Sequence, residues 1–183
     1  MGSSPYTAIE QWRLPQLAVA ATLASVVGAG CRGNEAGVFW LGERSKVSTV
    51  RAVVSLRGRG VLETPGLWMV SSEVYGVVSR MAREHGLTLL GTAHTHGRGV
   101  RVGLSHTDRR DGVRVPGFLA VVIGNGGADS DPEEWSFNVF ETSDFRELRS
   151  ADFRARILQV DEHVDLWRAN ADGSSRWSGL ENE

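Results

Sequence analysis

Two histidines one residue apart, His94 and His96, close an apolar run at residues 87–96. Side chains alternate faces along a strand, so the two imidazoles point the same way and can reach one ion. Zinc suits such a pair, because it accepts nitrogen and oxygen donors in a tetrahedral shell. A catalytic site of this type needs one more protein ligand and an open position, and Asp108 is the nearest candidate carboxylate. Ser105, three residues earlier, fits the N-cap of a helix that would hold Asp108 in its first turn. His106 is the nearby rival as third ligand, with an exposed or supporting place as its expected role. Asp111 could serve only if that helix began later. Hydrolysis of an amide would also require a carboxylate that takes a proton from water and delivers it to the leaving amine.

The elements around these residues must bring them together. An apolar segment at 15–27 predicts a helix stopped by Gly28 and Gly30, with Leu17, Val19, Ala20, Leu23, Val26 and Val27 turned inward. Residues 35–41 and 47–56 read as strands, and the Gly- and Pro-punctuated stretch 57–68 as a long loop. Val74, Val77, Val78 and Met81 give residues 71–85 an amphipathic helical period, with Gly86 as its stop and His85 beside the negative end of the dipole. After the histidine strand come a polar helix start at 105–111, a short strand at 118–123, a loop at 124–134 and a strand at 135–140. Residues 145–167 read as a helix that packs through Phe153, Ile157, Leu158, Val164 and Leu166 and carries His163 on its solvated face. Interleaved helices and strands predict an α/β or α+β class around one mixed sheet.

Composition narrows the functions. At 183 residues the chain is expected to be one soluble domain with a core large enough to need no disulfide or metal staple. A formal charge of −2 leaves no global basic field, so nucleic acid and anionic membranes are not expected partners. The single cysteine, Cys31, excludes a disulfide framework and a thiolate zinc cluster. The apolar run 17–31 ends in Ala-Gly-Cys as lipoprotein signals do, but it is shorter than the roughly 20 residues of a spanning helix. Glu10, Trp12 and Pro15 before it make a poor charged leader, so a core helix and a cytoplasmic location are expected. No phosphate loop or dinucleotide fingerprint is present. Arg98, Arg101, Arg109, Arg110 and Arg114 gather near the histidines in sequence. They read either as a solvated rim or as a docking edge for an acidic or carboxylate-bearing partner.

A glutamate, then His94-Thr95-His96, then Ser105-x-x-Asp108, resembles the JAMM (JAB1/MPN/Mov34) metalloprotease motif. In that family the glutamate opens a strand ending in Leu-Gly just after the first helix. Glu35-Ala36-Gly37-Val38-Phe39-Trp40-Leu41-Gly42 has that form and place. The resemblance implies a single MPN/cytidine-deaminase-like domain at 1–142, a mixed β-sheet flanked by helices. A C-terminal helical extension at 143–170 would pack on it, followed by a polar tail at 171–183. It further implies one Zn2+ held by His94, His96 and Asp108, with Glu35 as general acid/base and the Ser105 hydroxyl supporting the oxyanion.

The implied activity is that of a zinc-dependent isopeptidase or peptidase cleaving after the C-terminal glycine of a ubiquitin-like protein, by deconjugation or precursor processing. The substrate tail would lie extended beside the sheet, between flaps at 57–68 and 112–116. Implied partners are that ubiquitin-like protein or its conjugates and cognate E1/E2-like enzymes. Stand-alone bacterial members accompany such pathways, antiviral ones included. Two features depart from the family pattern: Gly97 stands where proline is usual, and eleven residues rather than ten separate His96 from Asp108. The extra residue is assigned to the connector at 97–104. Other readings are a catalytically silent MPN scaffold and a zinc hydrolase of small amides or peptides.

Overall fold

Val, Phe, Trp and Leu crowd the strands that carry the candidate residues, and the computed structural model buries those strands on both faces. It describes residues 8–170 and 175–177. In chain order the elements are β1 (Gln11–Pro15), α1 (Gln16–Cys31), β2 (Gly37–Gly42), β3 (Val47–Arg57), β4 (Val61–Thr64) and β5 (Leu67–Val70). Next come α2 (Ser72–Glu84), β6 (Thr88–Thr95), α3 (His106–Asp111), β7 (Leu119–Ile123), a 3-10 turn at Pro132–Glu134 and β8 (Ser136–Phe140). The chain continues through β9 (Phe145–Leu148), α4 (Ala151–Arg156), β10 (Ile157–Val160), β11 (Asp165–Asn170) and β12 (Ser175–Trp177).

One mixed sheet runs β10-β1-β3-β2-β6-β7-β8-β9, while β4 and β5 form a separate hairpin. β2 is antiparallel to both β3 and β6, and β6 is parallel to β7. Val38 and Trp40 of β2 belong to the core beneath α1, and Phe39 and Leu41 to the core beneath α2. Such a strand has no polar face, which explains its unbroken apolar run. The result is a single mixed α+β domain, a sheet flanked by four helices. Among the described residues no helix is long and apolar enough to cross a membrane.

The first helix departs from expectation at its end and on its face. It runs past Gly28 and Gly30 to Cys31. Gly30 is required by contact rather than as a stop, since a Cβ there would drive into the Gly126 carbonyl. The inward face consists of small residues, Ala18, Thr22, Val26, Ala29 and Gly30, while Leu17 and Val27 are exposed. Thr22 accepts a hydrogen bond from the Trp40 indole at 3.0 Å, satisfying a buried donor beneath the helix. The second helix buries Val74, Val77, Val78 and Met81 as its period predicts.

The C-terminal helical extension is corrected. Residues 145–167 contain β9, the short α4, β10 and part of β11, and β10 and β11 join the sheet itself. The eleven-residue β3 leaves one long edge to fill. β1 takes its start, at Val47–Thr49, and β11 its end, at Ala52–Arg57, both in parallel. Closing a backbone edge in this way satisfies donors and acceptors that a helix laid over the sheet would leave bare. His163 accordingly lies between β10 and β11, exposed, with its Nε2 3.2 Å from Asp165 Oδ1. β1 itself was not foreseen, and the expected loop at 57–68 contains β4 and the start of β5. Most of the expected polar tail at 171–183 lies outside the described residues, although Ser175–Trp177 pair with β11 as β12.

Candidate metal centre

β6 ends between β2 and β7, and its last residues are held from both sides. Gly37 lies opposite His94 in the β2–β6 register. The pairing continues one step further, with Thr95 N–H donating to Ala36 O at 2.8 Å and Ala36 N–H to Thr95 Oγ1 at 3.0 Å. This register sets Glu35 across from His96. Residues directly opposite in an antiparallel pair share a face, so Glu35, His94 and His96 stand on one side of the sheet. All three are nearly inaccessible, at 6%, 4% and 5% exposure, so any charge among them must be answered by protein groups or by an ion.

Asp108 arrives from the neighbouring α3. Ser105 is the N-cap: its Oγ accepts the Asp108 N–H at 3.1 Å, and Asp108 Oδ2 accepts the Ser105 N–H at 2.7 Å. This reciprocal capping box fixes the Asp108 side chain at the helix start. A six-residue helix would be marginal in isolation, so the cap is a main determinant of where the carboxylate sits.

Three donor atoms then converge. His94 Nε2 lies 3.2 Å from His96 Nε2, His96 Nε2 lies 3.2 Å from Asp108 Oδ2, and His94 Nε2 lies 3.4 Å from Asp108 Oδ1. Metal–nitrogen and metal–oxygen bonds of about 2.0–2.1 Å at tetrahedral angles put ligand atoms about 3.3 Å apart. The observed triangle has that size. Proton sharing alone satisfies it poorly, since each Nε2 faces both another imidazole nitrogen and a carboxylate, whereas one cation satisfies all three donors together. The buried His94, His96 and Asp108 group can therefore hold a metal ion. Asp108 joins the two histidines across the eleven-residue connector that begins at Gly97, in which Val100 N–H donates to Gly97 O at 3.3 Å. His106 is exposed and stands outside the group. Asp111 is engaged by both Nε and Nη2 of Arg110 at 2.7 Å.

The electrostatics follow from this packing. Burial pushes the Glu35 carboxyl above its usual range, opposed by the charges of His96 and His94, raised further by Asp108, and lowered by the Gly97 backbone N–H. A proline at position 97 would have no N–H to offer. Burial opposes ionisation of Asp108, yet hydrogen bonds from His94, His96 and Ser105 outweigh it and hold the carboxyl well below the usual range. Burial works against charge on His96, but Asp108 and Glu35 raise its affinity for a proton overall. Its Nδ1 is buried without a regular hydrogen bond, and the Arg101 carbonyl acts on the ring as a weaker acceptor.

Trp68 is the participant that the sequence did not announce. From β5 its ring stacks on His94, with centroids 5.7 Å apart and planes 15° from parallel. The space comes from Gly37, where a Cβ would stand 2.8 Å from two Trp68 ring atoms. Thr64 O accepts the Glu35 N–H at 3.0 Å, so the β4–β5 hairpin also grips the glutamate backbone. A groove of about 210 Å3 runs from β5 to His94 and Asp108, walled by Trp68, Tyr75, Val113 and Phe118. Arg110 is tied to Asp111, and the Arg114 guanidinium donates to the Arg109 carbonyl. The expected arginine cluster is thus partly engaged within itself.

No family model matches the chain, and no curated protein does. Solved structures are similar to it. The solution structure of a protein from Desulfitobacterium hafniense is 18% identical, covers 84% of this chain and 95% of its own length, and has a TM-score of 0.61. A solution structure of a protein from Salinibacter ruber is 21% identical, covers 83% and 94%, and has a TM-score of 0.54. A crystal structure of a JAB1/MPN domain protein from Archaeoglobus fulgidus is 11% identical, covers 82% and 97%, and has a TM-score of 0.44. The first two share the architecture of this chain. In this chain a His-His-Asp group suited to a metal ion, with a glutamate beside it, stands at the end of a central strand.

Proposed function

We propose that this chain is a zinc-dependent peptidase of the JAMM type, which hydrolyses the amide after the C-terminal glycine of a ubiquitin-like protein in the cytoplasm. The observation that carries this reading is the 3.2–3.4 Å triangle of His94, His96 and Asp108 with the buried Glu35 on the same face. Zinc bound by those three side chains supplies Lewis acidity, which polarises a carbonyl and acidifies water.

The remaining steps belong to the chain's own residues. Glu35 takes a proton from the attacking water and passes it to the leaving amine, a transfer eased by a carboxylate shielded from solvent. Ser105 Oγ accepts from the Asp108 N–H, and its own hydroxyl proton is left to donate to the carbonyl oxygen as charge develops there. The groove along β5 supports an extended acyl segment, because β5 pairs only with β4 among the described residues and keeps its other edge open. A glycine pair, with no side chains to place, suits the passage walled by Trp68, Tyr75 and Phe118.

The test is incubation of the purified, zinc-loaded chain with ubiquitin-like proteins extended beyond a Gly-Gly end, with mass spectrometry of the products. Cleavage after the second glycine is expected, with loss on chelation and in Glu35→Gln, which should still bind zinc. Failure of the loaded wild type on every extended substrate would leave the silent scaffold and the zinc hydrolase of small amides or peptides. Cleavage that survives chelation would remove the metal from the reaction.

A further inference from the structure

The metal centre opens on a second side. A cleft of about 470 Å3 borders His96 and Ser105, and Leu104 lines both this cleft and the β5 groove, dividing them. Its character is opposite to that of the groove. Arg101, Arg109 and Arg149 line it against a single carboxylate, Glu147, with Asn138 beside Glu147 in the β8–β9 register. Glu147 is already answered, by Arg149 Nε at 2.7 Å and Ser136 Oγ at 3.0 Å. Arg109 is anchored to the Phe145 carbonyl at 2.8 Å and reaches the exposed Asp144 at 3.4 Å. Arg101 has no ion-pair partner among the described residues and interacts with Glu147 only at longer range. Asn138 is 1% exposed and held by Ala120 O and by Ser136, so the floor is rigid and polar.

We propose that this cleft is a carboxylate subsite for the leaving side of the scissile amide. The released amine then belongs to an amino acid or short peptide with a free α-carboxylate, held chiefly by Arg101 with Arg109 and Arg149 around it. The assignment rests on the hydrolase reading above, in which the acyl segment fills the β5 groove and the amine side must exit past His96 and Ser105. In the reaction water adds across the C–N bond. The glycine carbonyl gains the oxygen and leaves as a carboxylate, and the amine gains the proton and departs with its own carboxylate intact. Guanidinium–carboxylate bonds are the strong, charge-assisted kind, and with Arg149 paired to Glu147 and Arg109 shared with Asp144, Arg101 supplies the cationic surplus that gives the cleft its preference for an anion. Such a subsite favours trimming of a precursor over release from a lysine side chain.

The experiment uses two peptides that end in Gly-Gly-Ala, one with a free C-terminal acid and one with a carboxamide. Calorimetry on zinc-loaded Glu35→Gln protein reads binding without turnover, and kcat/KM on the wild type reads chemistry. The acid is expected to bind about ten-fold more tightly than the amide at low salt. That preference should shrink as salt rises. In Arg101→Gln, a change at an exposed position, the acid-to-amide ratio should fall toward one, and Arg101→Lys should restore part of it. Equal binding of the two peptides, a ratio indifferent to Arg101→Gln, or no binding of either would overturn the subsite. Discrimination in binding without cleavage by the wild type would sink the hydrolase reading and with it the leaving-side assignment, keeping only a carboxylate-binding cleft, whereas cleavage with equal rates would sink the subsite alone.

Discussion

Ser105 holds two roles that substitution can separate. Its Oγ caps the Asp108 N–H at 3.1 Å, while the Asp108 carboxylate takes the Ser105 backbone N–H at 2.7 Å. Ser105→Ala removes the first bond and leaves the second. Loss of an N-cap side chain costs about 1 kcal/mol, which is about five-fold in any equilibrium that requires Asp108 in place. Zinc affinity in Ser105→Ala should therefore fall about five-fold. Loss of an oxyanion donor costs far more, so turnover at saturating zinc should fall by about 10²–10³. Ser105→Asn restores a good cap without the hydroxyl; affinity should return to within about two-fold of wild type while turnover stays low. Competition titration against a chromophoric chelator measures the first quantity, and hydrolysis of an extended substrate the second. Recovery of turnover in Ser105→Asn would remove the hydroxyl from the chemistry. Wild-type zinc affinity in Ser105→Ala would refute the capping argument.

Three further outcomes follow from the geometry. Asp108→Asn should lose metal in elemental analysis while His106→Ala keeps it, because His106 is exposed and outside the donor triangle; the reverse result would exchange their roles. Trp68→Ala removes the ring stacked on His94 and should destabilise the half-buried hairpin contact by about 2 kcal/mol. Trp68→Phe should lose less, and an unchanged melting temperature and metal affinity in Trp68→Ala would show that the stack does nothing. Burial pushes the Tyr75 phenol up to about 12 from its usual value. The folded state therefore keeps a proton that the unfolded chain releases from about pH 10, so stability should decline between about pH 10 and 12. Absorbance titration in a Tyr6→Phe background checks this, and ionisation of Tyr75 near pH 10 in the folded protein would contradict it.

What the sequence made legible was local. His94 and His96 share a face by the strand period, and Ser105 and Asp108 are linked by a capping box that spans four residues. Glu35 could be placed only by its position ahead of an apolar strand. Its approach to His96 depends on the β2–β6 register, which is non-local. Trp68 was hidden for the same reason, because the gap that admits it is the missing side chain of Gly37 across the sheet. In 145–167, Ile157–Val160 is too short a run for periodicity to separate strand from helix. The demand that makes strands there comes from distant edges: β10 closes the outer edge of β1, and β11 fills the later half of the β3 edge, each more than a hundred residues earlier in the chain. Arg149 and Glu147 were missed as cleft residues because they were assigned to that helix.

The shared edge of β3 also governs how the nascent chain fares. Ser55 and Trp167, which meet along it, are 112 positions apart in the chain. A ribosome adding about 5–20 residues per second leaves the later half of that edge bare for roughly 6–22 s after β3 emerges. The histidines and Asp108 are added partway through that interval, while an apolar strand with open backbone groups invites pairing with other polypeptides. Expression yield should therefore depend on chaperone supply and growth temperature more than the finished protein's stability would suggest.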